Sequence, residues 1–132
     1  MSYPINHVHI RAKDPHKSAE WYQQFFDAKI ISSREVMPGT ITVSMDTGGP
    51  VRLNISSQPD GSSDKTIPAE LNRLGLEHFG FNTDDIEADI DKLRKSGVKI
   101  VLPITEFAGG TKLAYFEGPD RVLIELVQPL NA

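Results

Sequence analysis

The sequence predicts an α+β fold of two tandem βαβββ modules, on three observations. Two stretches of chain each read as strand, helix and three further strands. Equivalent points of the two stretches keep one constant separation. Short turns rich in glycine and proline join most of the strands. In the first stretch, Ile5 to Ala12 alternates, with Val8 and Ile10 on one face and His7, His9 and Arg11 on the other. That period of two is a strand signal. Asp14-Pro15 reads as an N-cap followed by proline at the first helical position. Ala19, Tyr22, Phe25 and Phe26 then recur at helical spacing, which predicts an amphipathic helix over Pro15 to Phe26. Lys29 to Val36, Thr40 to Met45 and Val51 to Ser56 read as strands, separated by turns at Pro38-Gly39 and Thr47-Gly48-Gly49-Pro50.

Ser57 to Lys65 is rich in Ser, Gly, Asp and Pro without apolar periodicity, and reads as a surface loop. Ile67 to Leu74 is expected to form a short helix with an ill-defined start at Pro68. The series then repeats. Leu76 to Asn82 reads as a strand. Asp84 or Asp85 caps a helix carrying Ile86, Ile90 and Leu93, and Gly97 ends it. Val98 to Leu102, Thr111 to Phe116 and Val122 to Val127 read as strands, with a loop over Glu106 to Gly110. The chain is thus a single domain: module one over about 5–57, a connection over 58–75, and module two over about 76–128.

The separation is 71 positions for His7 and His78, Asp14 and Asp85, Gly39-Thr40 and Gly110-Thr111, and Asn54 and Glu125. One offset therefore links a strand start, a helix cap, a turn and a last strand. We read it as two copies of one module with little identity left between them.

Composition narrows the function. A length of 132 residues suits one domain, and 39% hydrophobic with 24% charged residues is a globular balance. A net charge of -4 argues against nucleic acid and anionic membranes as partners. The chain has no cysteine, so metal ligands must be His, carboxylate or amide. Met1-Ser2-Tyr3-Pro4 starts no signal peptide and no apolar run has the length of a membrane span, so a cytoplasmic protein is expected.

Ile5-Asn6-His7-Val8 with Asp14 and Trp21-Tyr22 resembles the opening of a vicinal oxygen chelate module, the superfamily of glyoxalase I, methylmalonyl-CoA epimerase, fosfomycin and bleomycin resistance proteins and extradiol dioxygenases. Leu76-Glu77-His78-Phe79-Gly80-Phe81 with Asp85 is similar to a second opening. Tyr115-Phe116-Glu117-Gly118-Pro119-Asp120 leading to Ile124-Glu125-Leu126 is similar to its close. The resemblance covers nearly the whole chain apart from 57–75. It implies a curved mixed sheet around a metal-containing cup, with ligands from the first and last strands of each module. Those positions are His7, Asn54, His78 and Glu125. His7, His78 and Glu125 are the metal ligands so implied, for one divalent ion among Fe, Ni, Co, Mn and Zn. Asn54 departs from the Glu or Gln that glyoxalase I and the epimerase are expected to carry. Its amide is shorter, uncharged against Glu, and a poor general base.

Each histidine alone is more often a surface or hydrogen-bonded strand residue; the shared repeat position is what favours ligation. His9 shares the face of His7 and is a candidate rival ligand, proton shuttle or substrate contact, though its repeat partner is Gly80. Arg52 and Ser56 share the face of Asn54, so Arg52 and Asn54 are candidate substrate contacts. Tyr115 is a candidate catalytic residue, placed like a tyrosine of extradiol dioxygenases. His16 is expected in solvent, and Trp21, Tyr22, Phe25 and Phe26 in the core or a dimer interface. Gly48-Gly49 is a hairpin turn with no phosphate-loop signature. Three functions follow: a glyoxalase-type lyase or isomerase acting on a small oxygenated substrate that chelates the metal, a non-haem Fe(II) dioxygenase, or a non-enzymatic drug-binding resistance protein. Exposed sheet edges and the resemblance imply a homodimer.

Overall fold

Asp14 and Asp85 hold equivalent positions in the computed structural model, which describes residues 1–130. The Asp14 carboxylate accepts from the Lys17 amide at 3.2 Å, and that of Asp85 from the Ala88 amide at 3.1 Å. Each thereby satisfies one of the free N–H groups at a helix start. The chain divides into two units, Met1–Lys65 and the stretch from Thr66 onward.

In the first unit, β1 (His7–Arg11), α1 (Pro15–Phe26), β2 (Lys29–Met37), β3 (Thr40–Asp46) and β4 (Arg52–Ser56) follow in order. They build a four-stranded sheet in the order β1-β4-β3-β2. β1 runs parallel to β4 and the other pairs are antiparallel. One strand face carries Ile10, Val43, Met45, Leu53 and Ile55, all buried, and α1 contributes buried Ala19 and Tyr22. Full burial of each larger apolar side chain is worth about 1.5–3 kcal/mol, so this face fixes which side of the sheet is core. Trp21 contacts Tyr22, Phe25 and Phe26 edge-on or tilted, a packed aromatic cluster along α1. His16, expected in solvent, shares a 2.7 Å hydrogen bond with the Ser33 hydroxyl at an exposed position.

The second unit repeats the pattern with β5 (Phe79–Asn82), α2 (Ile86–Lys95), β6 (Ile100–Glu106), β7 (Lys112–Glu117) and β8 (Leu123–Gln128). Its sheet order is β5-β8-β7-β6, again with one parallel pair, β5 and β8. Ile86, Ile90 and Leu93 of α2 are buried, as are Ala114, Phe116, Ile124 and Leu126 of the sheet. Glu87 and Asp89 stand in the first turn of α2 and Lys92, Arg94 and Lys95 in its last, each sign matched to the helix dipole.

The fold is therefore two βαβββ modules with a four-stranded mixed sheet apiece. Three local expectations change. Ile67 to Leu74 forms no helix: Pro68 withholds an amide, and Asn72 takes a left-handed φ of 69°. β6 runs on to Glu106, because Pro103 sits on an edge strand where its missing N–H costs no ladder bond, beside a register shift between Leu102 and Thr105. β5 starts only at Phe79, so His78 precedes the strand instead of lying in it. Among the described residues, no helix is long and apolar enough to cross a membrane.

Candidate functional site

The sheet face of the first unit opposite its apolar residues is polar. It carries His7, His9 and Arg11 of β1, Asn54 and Ser56 of β4, Thr42 and Ser44 of β3, and Ser32 and Arg34 of β2. These side chains line a cavity of about 360 Å³. Register places them in cross-strand rows. One row runs Arg11, Ser56, Thr42, Arg34, and the next His9, Asn54, Ser44, Ser32. The cavity lining holds two guanidinium groups and no carboxylate.

Hydrogen bonds fix several of these groups. His9 Nε2 and the Ser56 hydroxyl are 2.8 Å apart, and the Ser56 and Thr42 hydroxyls 2.7 Å. Arg11 Nη1 donates to the Ser57 carbonyl at 2.8 Å. Desolvation, then the charges of Arg11 and His7, hold His9 below its ordinary pKa. His7 Nδ1 donates to Asn6 Oδ1 at 2.8 Å, which leaves Nε2 as the ring nitrogen outside that bond. Asn54 Oδ1 is buried without a hydrogen-bond partner. A lone buried acceptor of this kind costs about 1–3 kcal/mol unless something occupies it.

In the second unit, His78 Nδ1 donates to Glu77 Oε1 at 2.7 Å, while His78 Nε2 faces Glu125 Oε1 at 3.4 Å. The other oxygen of Glu77 accepts from the Asn72 amide. That bond first, and the one from His78 next, hold the Glu77 carboxyl below its ordinary pKa. Glu125 pairs in register with Gly80 on one side and Tyr115 on the other. A Cβ on Gly80 would stand 3.2 Å from Glu125 Oε1, so glycine there leaves room for the carboxylate. The Tyr115 ring packs edge-on to His78 with centroids 4.9 Å apart. Desolvation, then the hydrogen bond to Glu125 and the negative charges of Glu125 and Glu77, push the Tyr115 phenol up to about 12. Tyr115 therefore keeps its proton near neutrality and acts as a donor rather than a base.

These donors fit a divalent ion. His78 Nδ1 donates to Glu77, and its Nε2 stands 3.4 Å from a carboxylate oxygen of Glu125. Two such donors suit adjacent positions on one ion, whose bonds to each would be about 2.0–2.2 Å. In the first unit, the buried Asn54 Oδ1 is an oxygen donor without a hydrogen-bond partner. Among the described residues, no three His, Asp or Glu side chains are gathered in ligand geometry around one point. The sequence set draws on both units: His7 belongs to the first, His78 and Glu125 to the second.

Within the first unit, His7, His9 and Asn54 share the cavity, whereas Arg52 does not line it. Arg52 opens β4 opposite His7 and is exposed. Its place as the cavity's cation is taken by Arg11 and Arg34. Arg11 was visible in the alternation of β1, while Arg34 could be placed only once the β2–β3 register was known. Sequence reading also missed Asn6 and Glu77. Their signal was available, since each directly precedes a candidate histidine and they stand 71 positions apart.

Among known proteins, a lactoylglutathione lyase of Schizosaccharomyces pombe is 28% identical over 145 residues, covering 96% of this chain and 47% of that protein. The chain thus spans about half the length of that relative. A probable lactoylglutathione lyase of Synechocystis is 29% identical over 125 residues, covering 92% of each. In fold, the chain is similar to a glyoxylase/bleomycin resistance protein/dioxygenase domain from Frankia, with a TM-score of 0.77 at 21% identity over 97% of this chain and 98% of that one. It is also similar to a fosfomycin resistance protein from Listeria monocytogenes, with a TM-score of 0.74 at 20% identity over 98% and 95%. The model of the Glyoxalase/Bleomycin resistance protein/Dioxygenase superfamily matches residues 4–126. With paired histidines, a strand carboxylate and two βαβββ modules behind that match, the chain belongs to this superfamily, the vicinal oxygen chelate proteins.

Proposed function

We propose that this protein is a divalent-metal-dependent lyase or isomerase of glyoxalase type, moving a proton beside a carbonyl of a small oxygenated substrate. The observation that carries the reading is the His78–Glu125 pair, Nε2 to Oε1 at 3.4 Å, with Glu77 behind the imidazole. His7, His78 and Glu125 would hold the ion, and the Asn54 amide oxygen is a candidate neutral donor. The bound ion supplies Lewis-acid stabilisation of the negative charge that forms on the substrate oxygen.

The rest of the chemistry falls to the chain. Glu125 takes the proton from the carbon next to the carbonyl on a carboxylate oxygen and returns it to the neighbouring carbon. Tyr115 orients that carboxylate by donating to it and holds its own proton throughout. Asn54, an amide, carries no proton. Arg11 and Arg34 give the cavity a positive field that favours substrates bearing an anionic group. His9, kept neutral by its surroundings, relays protons through the Ser56 and Thr42 hydroxyls. The lactoylglutathione lyase names of two relatives support the reaction class. The proposal includes a homodimer, supported by β2, an edge strand that leaves Ile30, Ile31, Val36 and Met37 exposed.

The test is proton exchange. Metal-loaded protein in deuterated water should wash the hydrogen next to the carbonyl out of an α-hydroxycarbonyl substrate, the glutathione hemithioacetal included. Oxygen consumption with iron bound and no exchange would replace the reading with a dioxygenase. Tight ligand binding without exchange or oxygen uptake would replace it with a binding protein.

A further inference from the structure

The residue before each candidate histidine does the same thing in both modules. Asn6 Oδ1 accepts from His7 Nδ1 at 2.8 Å, and Glu77 Oε1 accepts from His78 Nδ1 at 2.7 Å. The two acceptors are 71 positions apart, the offset of the repeat itself. They differ in one respect, since the first is an amide and the second a carboxylate. The same difference separates Asn54 from Glu125, at the same offset. Module one is thus neutral at both positions and module two anionic at both.

Glu77 is itself anchored. Its second oxygen accepts from the amide of Asn72, a residue whose left-handed φ of 69° turns the connection back toward it. A carboxylate held at both oxygens has little freedom to release the imidazole. A carboxylate behind a ligating histidine fixes the tautomer and raises the basicity of the opposite nitrogen, and removing such a partner typically costs about 10–100-fold in metal affinity.

We infer that Asn6 and Glu77 are a repeated pair of positioning residues, each keeping the next histidine's proton on Nδ1 and its lone pair on Nε2, and that the charge of Glu77 makes His78 the tighter ligand. This rests on the metal-binding reading of His7 and His78 given above. It goes beyond that reading by naming residues that touch neither ion nor substrate, and by ranking the two modules.

Two readouts test it. The first uses metal-free protein: nitrogen-15 NMR of the imidazoles should show His78 protonated on Nδ1 in the wild type, and that preference lost in Glu77→Ala. The second is competition for zinc against a chromophoric chelator. Glu77→Ala should bind zinc about 10–100-fold more weakly than wild type. Asn6→Asp places a carboxylate of nearly the same shape on His7, at an exposed position that leaves the core untouched. It should tighten zinc binding several-fold, a gain that no loss of folding can imitate. Unchanged affinity in Glu77→Ala, no gain in Asn6→Asp, or His78 still protonated on Nδ1 without Glu77 would each overturn the inference. His78→Ala separates the two levels: if it too binds zinc like wild type, the metal-binding reading itself fails.

Discussion

His78 and Glu125 face each other in the second unit, Nε2 to Oε1 at 3.4 Å, with the histidine's other nitrogen committed to Glu77. An imidazole nitrogen and a carboxylate oxygen are both common ligands of divalent ions.

Glu125 is also the group asked to move a proton. Glu125→Gln keeps the shape and removes the base. Proton exchange should fall by about 10²–10⁴-fold, the usual worth of a general base. Zinc affinity should fall as well, so exchange is compared at saturating metal. Exchange within a few-fold of wild type there would assign the proton to another group.

Asn54 offers a different handle. Its Oδ1 is buried and unpartnered, so Asn54→Asp puts a negative charge where no hydrogen bond receives it. The metal-free variant should lose about 1–3 kcal/mol of unfolding free energy. Added zinc should raise its melting temperature by more than it raises the wild type's, because the new carboxylate gains a partner only when the ion binds. Equal shifts in the two proteins would place Asn54 away from the ion.

His9 gives a pH dependence of known sign. Its pKa in the folded chain lies below the ordinary value of 6.5, so the unfolded chain binds this proton more readily. The contribution is present above 6.5 and is lost as pH falls through the folded value. His9→Gln, an uncharged replacement with hydrogen-bonding capacity toward Ser56, should therefore flatten the loss of stability on the acid side. Urea unfolding at pH 7 and pH 5 measures it, and identical slopes in the two proteins would remove His9 from the acid response.

What the sequence disclosed, and what it withheld, follows from range. Alternation in Ile5 to Ala12 and the Asp14 cap are local, and the structure keeps both: β1 spans His7–Arg11 and α1 starts at Pro15. The 71-residue offset carried the comparison across the whole chain, and the registers His9 with Asn54 and Gly80 with Glu125 repeat it in three dimensions. Arg52 lies outside the cavity lining because face alone does not say where a strand enters its sheet; at the first residue of β4 a long side chain reaches solvent. Arg34 was overlooked because it joins the Arg11 row only through two intervening strands. The Ile67 to Leu74 helix failed for a local reason, apolar spacing overruled by Pro68 and by the left-handed backbone at Asn72 and Gly75.

The exposed apolar residues of β2 bear on assembly. Ile31 is 50% exposed and Val36 62% on an edge strand, a surface that a second copy would cover. Sedimentation at tens of micromolar should give a dimer, and Val36→Lys with Ile31→Lys should shift it toward monomer. A wild-type species of 14.6 kDa at that concentration would remove the dimer from the account.

Zinc or cobalt titration against a competing chelator measures whether His7, His78 and Glu125 bind an ion. The wild type should take up one ion per chain, and His7→Ala, His78→Ala and Glu125→Ala should each weaken binding by more than about 100-fold, beyond the range of an outer partner. Asn54→Ala should cost far less. Full occupancy in all three single variants, or a wild type that takes up no ion, would contradict the account.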